Sequence, residues 1–343
     1  MSESPPPSKR RGRFFRFGAA SVVLLGVAGY LVVQYDTGGG PSGPGCRVVS
    51  AKGDGATYEF TPEQAVNAAT ITAVGTARDL PERAVTIALA TALQESALRN
   101  IDFGDRDSLG LFQQRPSQGW GTPKEIMDPA YSAGKFYDGL EEVPGYTRLP
   151  LTVAAQRVQL SGFPQAYAKH EPDATLLAAA LTGRRSAATL TCEGRPAATR
   201  AAGTDAVRDA LARDFGRDAL EPAGAEVGDP ASPSPAPGDE GAGSDGRTMT
   251  LPVSTEADPG RKGRDRGWQL AHWAVANASA LHIERVSYAG EEWTAGDDGR
   301  WSPADGGDGG DGGDGGDGGD GGDGKNSAGP DGGADAVRIT TAR

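Results

Sequence analysis

Glu95 closes an apolar helical run, and a polar turn and the string Gly110-Leu111-Phe112-Gln113-Gln114-Arg115-Pro116 follow it. On a helical wheel Ala84, Ala88, Thr91 and Ala92 share the side of Glu95, at the i, i+3, i+4, i+7 spacing. Val85, Leu89 and Leu93 fall on a bulkier side. A stripe of small residues lets another segment approach closely. A carboxyl group at its end is then partly desolvated and keeps a proton for donation. Glycoside cleavage needs such an acid on the leaving oxygen. The wheel alone also allows a surface glutamate in the last turn of a helix. Asp102, Asp105 and Asp107, in the turn that follows, suit a second carboxylate that polarises water or steadies an oxocarbenium ion. Pairing with Arg106 or capping Ser108 is their other use. Trp120, Tyr131 and Tyr137 offer flat faces, either to sugar rings or to the core.

Other chemistries lack their residues. There are two cysteines, Cys46 and Cys192, and three histidines, His170, His272 and His282. No HExxH, GxSxG or Walker loop occurs, so no metal site and no cofactor is expected. The formal charge is −12 and no basic stripe lies beyond the N-terminus, which argues against nucleic acid as a partner.

The elements that must hold Glu95 are read from start and stop signals. Thr61-Pro62-Glu63-Gln64 is a capping box that opens one helix. Further helices are expected from Pro81 to about Leu98, from Pro129, from near Pro150, and from Pro172 to Leu181. Strand-like alternation is sparse, so residues 46–200 are expected to form a mainly α domain. Cys46 opens it and Cys192 falls after its last helix. A disulfide between them is expected outside the cytosol; two free buried thiols are the alternative.

The flanks read differently. Residues 1–16 are a basic tail, and 17–35 carry no charge over about 29 Å of helix, enough to span a bilayer. The expectation is a single-pass anchor in the cell membrane, with a cytoplasmic N-terminus and an external remainder. A cleaved signal peptide competes, but its apolar core would be shorter. Residues 36–45 read as linker, 201–220 as a helix of a C-terminal module, and 221–265 as a disordered linker rich in Pro, Gly, Ser and Asp. Residues 266–303 read as a small α+β module, and 304–343 as an acidic low-complexity tail built on a GGD repeat.

Glu95-Ser96 followed by Gly110-Leu111-Phe112-Gln113-Gln114-Arg115-Pro116 resembles the signature of soluble lytic transglycosylases and goose-type lysozymes. The wider stretch, Tyr58 to Cys192, resembles lysozyme-like domains of cell-wall proteins from high-GC Gram-positive bacteria. Gln156, Ser161-Gly162-Phe163-Pro164 and Tyr167 look like a segment of that group. The resemblance implies a lysozyme-like fold with Glu95 as catalytic acid and peptidoglycan glycan strands as partner. Gly110, Gln113, Gln114, Trp120 and Tyr167 would bind substrate. Phe112 stands where the family has Met, and the late Tyr-Asn-Ala-Gly segment is missing. A non-catalytic wall-binding scaffold is therefore the alternative function. The C-terminal module resembles one in membrane proteins some of which are labelled heavy-metal transporters; one span and so few Cys and His give transport no physical support.

Overall fold

The computed structural model describes residues 45–161, 165–193, 203–217, 246–253, 263–296, 299–304 and 336–343. Two antiparallel sheets flank a helical core. The first has the order β2-β1-β3, from Cys46–Ser50 (β1), Thr57–Phe60 (β2) and Ala188–Cys192 (β3). Cys46 pairs directly with Cys192 across β1 and β3, and a disulfide joins them.

Helix α1 (Pro62–Ala77) starts where its sequence demands. The Thr61 hydroxyl accepts from the Gln64 N–H, and the Gln64 side chain accepts from the Thr61 N–H. Helix α2 (Glu82–Ser96) is buried from Ala84 to Leu93 without a break. Its small side and its bulky side are therefore both covered, because α2 is the central helix. Around it lie α3 (Pro123–Ile126), α4 (Pro129–Glu141), α5 (Leu151–Gln159) and α6 (Glu171–Leu181). Gly75 of α1 lets the Tyr137 ring of α4 come close, and the Tyr137 hydroxyl donates to the Ile71 carbonyl at 3.0 Å.

The second sheet has the order β4-β8-β5-β6-β7. Its strands are Thr248–Pro252 (β4), Ile283–Tyr288 (β5), Glu291–Thr294 (β6), Ser302–Pro303 (β7) and Ala336–Thr341 (β8). Met249 pairs with Ile339 and Ile339 with Val286, so one face buries the apolar residues of three strands. That face covers α8 (Gly263–Ala276), which is buried from Gly267 to Ala276 between the sheet and the helical core. Three bonds fix α8 to that core. Gln269 donates to the Thr76 hydroxyl at 2.6 Å, His272 Nδ1 to the Ala180 carbonyl at 2.7 Å, and Trp273 to Asp214 of α7 (Gly203–Phe215) at 2.8 Å. The Trp293 and Trp301 indoles donate to the Cys192 and Leu190 carbonyls on the open edge of β3.

The expected fold class is corrected by this arrangement. The described chain is not a mainly α domain with a small α+β module beyond a linker. It holds two sheets, and helix and sheet share one apolar core. Strand β4 lies inside the segment expected as disordered linker, and β8 inside the expected acidic tail. The expected membrane helix over 17–35 lies outside the described residues. Among the described residues no helix is long and apolar enough to cross a membrane.

Candidate functional site

Glu95 occupies the last turn of α2, and the way that helix ends defines its surroundings. Ala97 and Leu98 both take left-handed backbone angles, φ 53° and 58°. The Ala97 and Leu98 N–H groups bond back to Leu93 and Ala92, which closes the helix without a glycine. Two side chains of α1 hold the exit in place: Gln64 donates to the Ala97 carbonyl at 2.7 Å and Asn67 to the Leu98 carbonyl at 2.8 Å. The Ser96 hydroxyl donates to the Leu111 carbonyl at 2.8 Å, so the residue beside Glu95 grips the downstream loop.

That loop is a tight hairpin. Leu109 and Gln114 exchange both backbone hydrogen bonds, and Gly110–Gln113 form the turn between them. Gly110 has φ +73°, and a Cβ there would lie 2.8 Å from the Ile126 carbonyl oxygen; glycine is required for both reasons. Leu111 and Phe112 are buried, with Phe112 stacked on Phe136 at 4.7 Å.

Tyr167 comes from the other side. It sits on a short 3₁₀ turn, Ala166–His170, and its ring is fully buried. Its hydroxyl donates to Glu95 Oε1 at 2.7 Å. Burial first, and then the adjacent Glu95 carboxylate, push the Tyr167 phenol well above the ordinary tyrosine range, so it stays a donor. Glu95 is half-buried, with one oxygen on Tyr167. One residue back, Gln94 Oε1 accepts from His170 Nε2 at 3.2 Å.

The other expected site residues divide. Gly110 and Tyr167 belong to the Glu95 neighbourhood. The Gln114 amide is buried and donates to the Ser132 carbonyl at 3.0 Å, behind the loop. Gln113 has φ 48° and folds its amide back onto the carbonyls of Phe103 and Gly110. Both amides bond within the protein. Trp120 is half-buried on the core, its ring near Gly139 and its carbonyl accepting from Tyr131. Tyr137 is in the core. Among the carboxylates of the turn, Asp107 accepts from the Ser117 N–H and from Arg115; bonding to the Ser117 side chain first, then to its N–H and to Arg115, holds the carboxyl well below the usual range. Asp107 therefore braces the loop. Asp102 and Asp105 are exposed.

Sequence reasoning missed His170 and Gln94 as neighbours of the site. The signal was present: Tyr167 and His170 are three apart, and Gln94 adjoins Glu95. A cavity of about 490 Å³ lies elsewhere, between the β1–β2 turn and α6, with Lys52, Asp54, Asp173 and Arg184 in its wall. Glu95 does not line it.

Residues 206–312 match the family model described as VldE, C-terminal domain. The match begins in α7 and ends beyond β7, before β8. No curated protein matches the chain at a significant level. Neither comparison reaches Glu95, so the lysozyme-like likeness of Tyr58–Cys192 rests on the residues quoted for it.

Proposed function

We propose that Glu95 is a general acid for glycoside cleavage, and that the helical part of the chain binds peptidoglycan glycan and cuts it. The observation that carries this reading is the hydrogen bond from Tyr167 to Glu95 at the end of α2. Tyr167 fixes one carboxyl oxygen and leaves the other for the glycosidic oxygen of a bound strand. The Gly110–Gln114 loop supplies a wall with a rigid backbone. Ser96 ties that wall to the helix end, and Asp107 with Arg115 braces its far side. A disulfide-closed fold suits an oxidising compartment, where cell-wall glycan is found.

Incubation of the full-length protein with purified sacculi tests the proposal. Release of soluble muropeptides by wild type, and its loss in Glu95→Gln, is the expected result. No release by wild type would remove the enzymatic reading. One observation favours a second reading, a wall-binding scaffold without turnover: the Gln113 and Gln114 amides are both bonded within the protein. Equal retention of wild type and Glu95→Gln on sacculi, with no muropeptide released, would select it.

A further inference from the structure

We infer that His170 is a positioning residue for the Glu95–Tyr167 pair: it clamps the 166–170 turn onto the end of α2 and so delivers the Tyr167 hydroxyl to the carboxylate. The importance of that delivery rests on the reading of Glu95 as an acid. The clamp itself rests on geometry alone.

Two pairs of residues make it. Gln94 and Glu95 are neighbours in the last turn of α2, and Tyr167 and His170 are three apart on one 3₁₀ turn. Side chains at i and i+3 eclipse in a 3₁₀ turn, so both leave it on the same side. The result is two bonds between the same two elements, Tyr167 Oη to Glu95 Oε1 at 2.7 Å and His170 Nε2 to Gln94 Oε1 at 3.2 Å. A carbonyl oxygen only accepts, so the ring donates from Nε2. Burial, and Lys169 beside it, favour the neutral ring, while Asp173 opposes them; the neutral ring keeps one N–H, which Nε2 carries here.

A second bond is needed for a physical reason. The turn has only five residues; it leads directly into α6 at Glu171, and its own 3₁₀ bonds have poorer geometry than those of an α-helix. Burial of the Tyr167 ring and continuity with α6 hold the turn in place, and the second bond to α2 sets the fine placement of the hydroxyl against the carboxylate. A reacting group needs that precision, because small displacements of a positioned side chain cost large factors in rate.

The test reads Tyr167 directly. Full-length protein carries tyrosine labelled with carbon-13 at the ring ζ position, and Tyr167→Phe identifies the Tyr167 resonance by its loss. His170→Ala is expected to move that resonance away from its wild-type position, towards that of a buried tyrosine whose hydroxyl has lost its carboxylate acceptor. His170→Gln, whose amide reaches the same acceptor, is expected to restore it. Gln94→Ala breaks the same bond from the α2 side, at a half-buried side chain, and is expected to give the same displacement with an unchanged melting temperature. A Tyr167 resonance that keeps its wild-type position in both alanine variants overturns the clamp. So does a displacement in His170→Gln as large as in His170→Ala, which would assign the effect to ring packing. The readout needs no glycan, so a protein that cuts nothing would refute the proposed function and leave this inference standing.

Discussion

Tyr167 and His272 make separate demands on their surroundings. Tyr167 donates to Glu95, and as Glu95 gives up its proton in the proposed cleavage step that bond becomes charge-assisted, a class of bond that contributes about 1.5–3 kcal/mol. Tyr167→Phe is expected to lower muropeptide release by about 10- to 100-fold with the fold intact by circular dichroism. His272 makes a different demand. It is fully buried, its Nδ1 donates to the Ala180 carbonyl, and burial, more than the nearby Arg185, depresses its pKa to about 4. The folded state thus holds the ring neutral where the unfolded chain, with a histidine pKa of about 6.5, takes up a proton. Stability should fall as pH drops from about 6.5 to about 4, by about 3 kcal/mol in all, and His272 should add nothing further below that. Urea midpoints measured across that window should show the slope in wild type and a shallower one in His272→Asn, which keeps the donor to Ala180. Equal slopes would contradict the assignment. At this scale the sequence exposed Glu95 and Tyr167, because a carboxyl closing a small-residue stripe and an aromatic in a family-like segment are visible in one dimension. It did not expose the direction of an amide. Gln113 and Gln114 are adjacent, yet one folds onto its own loop and the other reaches Ser132, a choice set by the left-handed backbone at Gln113.

At the scale of elements, start signals located the helices well. Thr61-Pro62, Asp128-Pro129 and Pro150 each stand at an observed helix start, because capping and fixed proline φ are local effects. The strands were hidden for the opposite reason. Strand β1 is five residues and draws its stability from partners at β2 and β3, the latter far along the chain. Strands β4 and β8 are short runs near Gly, Asp and Pro, and pairing with each other and of β8 with β5, together with packing on α8, makes them strands. The pairing has a practical consequence: a chain cut after Pro303 lacks β8, which lies between β4 and β5, so the intact chain is the right object for assay. The loop below Glu95 can be probed at its tightest point. Gly110→Ala places a Cβ 2.8 Å from the Ile126 oxygen at a positive φ, and should cost about 1–3 kcal/mol. Thermal unfolding reads that loss; an unchanged melting temperature would mean that the loop relaxes freely.

The described residues form a helical core packed against two sheets, and one disulfide ties the first sheet. Cys46 and Cys192 are 146 residues apart, and cross-linking so long a loop stabilises by about 5 kcal/mol in the chain-entropy view. The disulfide was expected from the position of the two cysteines. Its second role was not visible in sequence: the Cys192 carbonyl also receives the Trp293 indole, so the tie lies where the second sheet meets the first. Replacing both cysteines with serine should lower the unfolding free energy by most of that amount, read from urea titration as a lower midpoint at an allowed change in slope. A double variant as stable as wild type would show that the sheets and α8 hold the fold unaided. On the proposed function, this architecture holds the Glu95 carboxyl group where a glycan strand can reach it. The most direct measurement is muropeptide release from purified sacculi by the full-length protein and by Glu95→Gln. If Glu95 is the acid, wild type releases muropeptides and the variant stays at background; equal release by both would rule Glu95 out as the acid.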